Sequence, residues 1–159
     1  HPRMTSLDDR AKRPALVAAI SDAQGALQGV QVTLLSAHGT AKAAVATPRR
    51  VIGKLMGGTV RLAEAQDELA VGEGVETMLT ASEVFGVPAW AALSADNLSR
   101  MIISRALRRL IIAADNDDAG MRAAETLRAR MTSSTLVEIE AAPPGFNDWN
   151  DWARAQVER

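Results

Sequence analysis

The sequence predicts an α/β protein: a parallel sheet flanked by helices, with a small β-rich subdomain ahead of it. Three observations carry that expectation. Residues 110–114 read Leu-Ile-Ile-Ala-Ala and stop abruptly in Asp115-Asn116-Asp117-Asp118-Ala119-Gly120. An uninterrupted apolar run of this kind suits a strand buried on both faces of a parallel sheet. From residue 68 onward, short apolar runs alternate with stretches of helical period, the rhythm of strands joined by crossover helices. Before residue 64 the runs are shorter and punctuated by glycine, as in small antiparallel sheets.

Taken in order, residues 1–14 are polar and charged and are expected as a flexible arm. Residues 15–63 are expected as the β-rich N-terminal subdomain. Within it, residues 16–20 are apolar, 21–25 supply turn residues, and 29–35 place Val30, Val32 and Leu34 on one side, the pattern of a hairpin. Residues 42–47 are a third candidate strand, weakened by their alanines. Residues 51–54 and 59–62, either side of Gly57-Gly58, are two more.

Residues 64–159 are expected as the main domain. Its first strand covers 68–71 and breaks at Gly72-Glu73-Gly74. Residues 75–85 read as a helix with Val75, Met78, Leu79, Ser82 and Phe85 on one face, Gly86 at its C-cap and Pro88 beyond. Residues 88–93 form the next strand, with Trp90 in the core. Ser94-Ala95-Asp96-Asn97 opens a short helix around 98–103. Arg105, Arg108 and Arg109 lead into the strand that ends in aspartates; they are either a solvated helix end or a nucleic-acid contact. Residues 120–131 are amphipathic, with Met121, Ala124, Leu127 and Met131 in register, and 135–139 form a last strand. After Pro143-Pro144-Gly145, a terminal helix begins near Trp149 and Trp152, which are expected to pin it to the body rather than to stack bases.

With 159 residues, 47% of them hydrophobic and 23% charged, the chain has ordinary soluble globular composition. No apolar run approaches a bilayer span and no secretory pattern opens it, so a cytoplasmic protein is expected. The absence of cysteine excludes disulfides and thiolate metal sites. With two histidines in all, a histidine-rich zinc site is not expected either, and His38 sits in a glycine turn, expected exposed. Charge is distributed unevenly. Residues 1–66 hold nine Lys+Arg against four Asp+Glu, and residues 67–159 hold nine against fifteen. A basic front and an acidic back suit a nucleic-acid track leading to a carboxylate pocket; two merely solvated faces give the same counts. Arg49, Arg50 and Lys54 are the candidate nucleic-acid-binding residues of that front.

Three acidic loops carry the chemistry. Asp115 and Asp117 are two apart, so on an extended chain they leave on the same side and repel unless a cation or a shared proton intervenes. A plainer reading has Asp117 or Asp118 cap the following helix, but capping needs one acid and this turn has three. Glu73 lies between two glycines with Glu76 one helical turn on. Asp148, Asn150 and Asp151 follow the proline loop and, with Glu76 and Asp118, make a secondary acidic and polar group. Carboxyl ends of parallel strands share one sheet edge, so the loops of Glu73 and Asp115 are expected to meet there. A glutamate with an Asp-x-Asp pair makes a divalent-cation site, or such a site with one carboxylate left over as a base. Phosphoryl or nucleotidyl transfer uses that combination.

Val71-Gly72-Glu73-Gly74 followed by Ile112-Ala113-Ala114-Asp115-Asn116-Asp117-Asp118-Ala119-Gly120 resembles the Toprim domain shared by bacterial primases and topoisomerases. Glu73-Gly74-Val75-Glu76-Thr77 and the ending Phe146-Asn147-Asp148-Trp149-Asn150-Asp151 are similar to the Toprim modules of phage and plasmid primases. Thr33-Leu34 and Pro48-Arg49-Arg50-Val51-Ile52-Gly53 look like the segment that precedes Toprim in those proteins, so the likeness runs from about residue 15 onward. Glu-Gly alone is a weak signal; the three motifs together are a strong one.

The resemblance implies a Rossmann-like Toprim fold and RNA primer synthesis on single-stranded DNA from nucleoside triphosphates. Glu73 would be the general acid or base, with Asp115 and Asp117 holding Mg2+ or Mn2+. Two departures bear on how a second metal or the phosphates are held: replicative bacterial primases have aspartate at the place of Thr77 and a basic residue at that of Asp118. The zinc-binding module usual in such primases is missing, which implies a fragment, or a component that works with zinc-binding or helicase domains. The alternatives are a metal-dependent Toprim nuclease, a topoisomerase-related domain whose nucleophilic tyrosine would lie elsewhere, since this chain has none, and a non-catalytic nucleic-acid-binding module. A two-component receiver would need a lysine after the acidic strand end, and none occurs after Lys54.

Overall fold

The apolar run before Asp115 is the centre of the molecule: Leu110, Ile111, Ile112, Ala113 and Ala114 are all at 0% exposure. The structure, a computed structural model, describes residues 1, 3–103 and 106–157; Arg105, read as part of either a solvated helix end or a nucleic-acid contact, lies outside the described residues. The elements run β1 (Met4–Thr5), β2 (Lys12–Arg13), β3 (Ala15–Ser21), β4 (Leu27–Leu34), β5 (Arg49–Gly53), β6 (Val60–Arg61), β7 (Glu68–Gly72), α1 (Val75–Phe85), β8 (Ala89–Ala91), α2 (Ala95–Arg100), β9 (Arg109–Ala114), α3 (Asp118–Arg130), β10 (Leu136–Ala141) and α4 (Trp149–Val157).

Five strands form the main sheet in the order β10-β9-β7-β8-β6. β10, β9, β7 and β8 are mutually parallel where they pair, and β6 closes the edge antiparallel to β8. Strand alternation sorts the central residues into two cores. Leu69, Val71, Leu110 and Ile112 pack with Leu98 of α2 and Ala124 and Leu127 of α3. Ala70, Ile111 and Ala113 pack with Val75 and Met78 of α1 and Trp149 of α4. The result is a sheet between two helical layers. Each leucine or isoleucine fully buried there contributes about 1.5–3 kcal/mol by transfer from water.

The order of strands has one consequence for function. β7 hands the chain through α1 to β8 on one side, and β9 hands it through α3 to β10 on the other. The connections leaving β7 and β9 therefore diverge, opening a crevice outside their carboxyl ends, where such sheets bind ligands.

Ahead of this sheet, β3, β4 and β5 form a three-stranded antiparallel sheet. Val32 and Leu34 of β4 are buried with Ala15 and Ala43, as the alternation predicts, while Gln31 and Thr33 on the opposite side are buried too. Three details differ from the sequence reading. Within residues 1–14, expected as a flexible arm, the stretch from Met4 to Arg13 folds back as a hairpin: Met4 pairs with Arg13, Ser6 is at 0% exposure, and Asp8 accepts a hydrogen bond from the Thr47 amide at 2.8 Å. Those partners are distant in sequence, so local polarity does not reveal them. Residues 42–47 form no strand beyond a single Leu35–Lys42 bridge, and the third strand is β5. Val60 and Arg61 pair with Ala91 and Trp90 of the main sheet instead of staying within the small one.

The helices shift slightly. α1 buries Val75, Thr77, Met78 and Ala81, leaving Leu79 50% exposed, because the pocket side of the helix takes Thr77 inward. α2 starts at Ala95, three residues earlier than expected, because Ser94 caps it by accepting from the Asn97 amide at 3.2 Å. α3 likewise starts at Asp118. Trp90 is core, as expected; its indole N–H donates to the Ala63 carbonyl at 2.9 Å. Trp149 lies edge-on to Phe85 of α1 at 5.1 Å and to Trp152 at 5.6 Å, so the two tryptophans do pin α4. His38 is exposed. Among the described residues, no helix is long and apolar enough to cross a membrane.

Candidate functional site

A pocket of about 170 Å³ lies at this crevice, and Glu73, Asp115 and Asp148 line one side of it. β7 delivers the first of them. Gly72 ends the strand in a place where a Cβ would meet Met78 Sδ at 2.5 Å and the Ala113 carbonyl at 2.6 Å, so only glycine lets β7, β9 and α1 close up. Glu73 follows, its carbonyl accepting from the Leu93 amide at 2.8 Å. Leu93 lines the same pocket with φ of +72°, a left-handed backbone that a leucine adopts only under constraint from its surroundings. Burial raises the Glu73 pKa above its ordinary value, and the Asp117 charge adds to this, while a hydrogen bond from the Ala95 amide acts the other way.

β9 delivers Asp115. Its Oδ1 is buried and has no hydrogen-bond partner. Burial first, and then the charges of Glu73, Asp148, Asp117 and Asp151, push its pKa up to about 7. Asp117 takes a different course. The extended chain ends at Ala114, so the two carboxylates part, and Asp117 caps α3 by accepting from the Gly120 amide at 2.7 Å. The capping reading is thus correct for Asp117, and its charge still acts on both Glu73 and Asp115. Asp118 points to solvent at 97% exposure beside Arg122.

Gly120 explains the spacing of the motif. A Cβ there would sit 2.8 Å from the Asp115 carbonyl and 3.1 Å from Asp115 Cβ. α3 can begin over the strand end only because that methyl is missing. Gly120→Ala is expected to lower stability by about 1–3 kcal/mol through this overpacking. A urea midpoint unchanged from wild type would show that the contact is slack.

The third acid depends on a residue that the motif reading passed over. Asn116 donates from its side chain to the Ala142 carbonyl at 2.9 Å and the Phe146 carbonyl at 2.7 Å, and its backbone amide donates to Asn147 at 2.7 Å. These bonds hold the proline loop against the β9–α3 turn and bring Asp148 to the pocket. Asp148 also accepts from the Asp151 amide at 2.8 Å, at the start of α4. Asn150 lines the pocket; Asp151 acts on Asp115 through its charge alone.

The opposite wall is basic and comes from the N-terminal part. Lys42 and Arg49 line it together with Gln31. Arg49 donates to Glu76 Oε1 at 2.8 Å, and Lys42 Nζ is 3.6 Å from the same oxygen. Burial opposes ionisation of Glu76, but its own backbone amide, the Arg49 hydrogen bond and the two cationic charges outweigh it and hold the pKa below its ordinary value. Glu76 therefore belongs to the basic wall rather than to the acids. The front is not one track: Arg50, next along β5, turns away to donate to the Thr5 carbonyl at 3.4 Å, and Lys54 is exposed beyond the strand end. Sequence inspection alone would not have chosen Gln31 or Lys42, which carry no motif.

The unpartnered Asp115 oxygen and the mutual repulsion around it suit a cation. Among the described residues no three His, Cys, Asp or Glu side chains converge tightly enough to hold a metal by themselves. That fits Mg2+, which commonly takes one or two carboxylates and completes its shell with waters and substrate phosphate. Without a cation the site should be felt as a pH dependence. Folded Asp115 keeps its proton up to about pH 7, whereas the unfolded chain releases it near 3.8. Between these values the native state binds more protons, so stability falls as pH rises through the window. In chelator, Asp115→Asn is expected to be more stable than wild type at pH 8, an advantage absent at pH 4. Urea midpoints at the two pH values check this; the same difference at both would mean that ionising Asp115 carries no cost.

Residues 68–158 match the family model described as Toprim domain, and residues 1–62 match one described as a domain of unknown function. No curated protein matches the chain. Among solved structures, the primase fragment of the bacteriophage T7 primase-helicase protein is 18% identical with a TM-score of 0.63, the match covering 90% of this chain and 58% of that one. The E. coli primase catalytic core is 20% identical with a TM-score of 0.61, covering 96% and 52%. The DnaG primase catalytic domain bound to ssDNA is 20% identical with a TM-score of 0.62, covering 97% and 52%. The chain thus spans a little over half the length of the structures it matches.

Proposed function

The chain belongs to the Toprim domain family, and from that premise we propose that it is the catalytic Toprim domain of a DNA primase from a phage, plasmid or other mobile element, synthesising RNA primers on single-stranded DNA in the cytoplasm. The observation that supports this best is the meeting of Glu73, Asp115 and Asp148 in the crevice between β7 and β9, with a buried Asp115 oxygen left without a partner. Likeness of the fold to primase fragments supports the primase reading over other Toprim chemistries.

Asp115 and Asp117 would hold Mg2+ or Mn2+, with Glu73 close by. When bound, the cation supplies neutralisation of developing phosphate charge and alignment of the reacting oxygens. Glu73 does the proton work. Its raised pKa makes the carboxylate a better acceptor for the proton of an attacking hydroxyl, and the Ala95 amide orients it. Asp148, Asn150 and Asp151, held by the Asn116 bonds, close the acidic side. Arg49, Arg50 and Lys54 would serve the template and nucleotide phosphates, Arg49 from within the pocket and the other two from outside it. The division at residues 63 and 64 separates the substrate-facing front from the acid-bearing body, and zinc-binding or helicase domains would complete the machine.

Metal-dependent incorporation of labelled nucleotides on single-stranded DNA tests the proposal, with strand cleavage scored in the same reaction. Incorporation supports the primase. Cleavage without incorporation would replace it with a Toprim nuclease.

A further inference from the structure

The basic wall of the pocket contains more unsatisfied recognition chemistry than its ion pairs use. Gln31 is 9% exposed and Thr77 is 3% exposed, and both line the pocket. Among the described residues, neither side chain has a hydrogen-bond partner. Their polar atoms stay accessible from the pocket, so the amide and the hydroxyl are both open to a ligand that enters it. Gly74 keeps the space open on the α1 side, since a Cβ there would stand 3.0 Å from Thr77 Oγ1.

The two cations of this wall share one carboxylate oxygen, Glu76 Oε1. Lys42 is too far from it for a direct hydrogen bond, and Arg49 uses a single Nη, leaving its buried Nε without a partner. An arginine fork is satisfied best by two oxygens of one planar or tetrahedral anion. Two positive charges against one negative leave the wall with a net excess of one.

We propose that this wall is a seat for the terminal phosphoryl oxygens of a polyphosphate, and that Glu76 is its resident counter-anion, giving up Arg49 and Lys42 when the polyphosphate enters. The substrate class rests on the nucleotidyl-transfer reading above; the role of Glu76 rests on the ion pairs themselves. Glu76 sets a threshold for occupancy. A monoanion, whether acetate or a phosphodiester, brings no more charge than the carboxylate it must displace. A terminal polyphosphate brings more charge and more oxygens, enough for the Arg49 fork, Lys42, the Gln31 amide and the Thr77 hydroxyl.

The test needs neither metal nor catalysis. In chelator, inorganic pyrophosphate is titrated calorimetrically into wild type and Glu76→Gln, with acetate and a short single-stranded oligonucleotide as parallel arms. Glu76→Gln is expected to bind pyrophosphate at least tenfold tighter, and adding Arg49→Ala or Lys42→Ala is expected to abolish the gain. The proposal is overturned by equal affinity in the two proteins, by a gain that survives both added substitutions, or by a gain for the oligonucleotide rather than pyrophosphate. Should Glu76→Gln fail to fold, the wild type still decides: the Arg49 Nε–H resonance, assigned with Arg49→Lys, should move with pyrophosphate and stay still with acetate. A resonance unmoved by pyrophosphate removes the seat. Since no cation is present, a negative result here leaves the nucleotidyl-transfer reading standing, and loss of that reading leaves the ion-pair exchange to be judged on its own data.

Discussion

Glu73→Gln is expected to fold like the wild type, to keep most of its divalent-cation affinity, and to lose nucleotidyl transfer by roughly 10²–10⁴-fold, the usual worth of general acid–base assistance. The substitution preserves size and hydrogen-bonding capacity toward the Ala95 amide while removing the proton acceptor. Steady-state incorporation and cation titration on the same preparations separate its roles. Loss of cation binding as complete as in a double aspartate variant would make Glu73 a ligand and end its role as the base. Full activity would move the chemistry to another group. Where further domains are needed for turnover, the same substitution in the full-length protein carries the measurement.

Asp115→Asn/Asp117→Asn is expected to abolish the Mg2+ or Mn2+ response. A cation at about 100 times its dissociation constant stabilises a native state by about 2.7 kcal/mol, so the wild type should gain in Tm and the double variant should not. The structure also predicts that the single variants are unequal. Asp115 presents a buried oxygen with no other partner, whereas Asp117 spends one oxygen on the Gly120 amide, a bond that asparagine can retain. Asp115→Asn should therefore cost more cation affinity than Asp117→Asn. Isothermal titration giving equal binding by wild type and the double variant would remove these residues from the cation site.

What could be read beforehand follows from where the determining contacts lie. β9 and α1 were legible because an all-apolar run and a 3.6-residue period are local signals, fixed by burial on both faces or on one. The β3–β4 hairpin was legible for the same reason. The β1–β2 hairpin was not, because a polar segment is held there by Ser6 burial and the Asp8–Thr47 bond, neither of which has a sequence period. The acids were found from their spacing, but their division of labour was not. Asp115 and Asp117 look equivalent on an extended chain and cease to be so once the chain turns into α3, leaving Asp115 half-buried at the strand end and Asp117 exposed as the helix cap. Asn116 was invisible as a clamp, since its partners are three backbone atoms some thirty residues away. Glu76 was read as another acid, and only tertiary placement beside Lys42 and Arg49 shows which charge it answers.

The pairing of β6 with β8 bears on how such a chain can be dissected or recombined. The two family matches meet between residues 62 and 68, so a cut made there would leave Val60 and Arg61 with the first piece. β8 would then expose its backbone donors and acceptors along a flat apolar edge, the feature that invites intermolecular strand addition. Trp90 would lose the Arg61 guanidinium stacked 4.3 Å from its ring centroid and, with a cut after residue 63, the Ala63 carbonyl as well. A recombinant second half is therefore best begun at residue 58 or earlier, and any exchange of front halves between relatives must carry a compatible edge strand with it. The front half thus also supplies the strand that covers this edge of the main sheet.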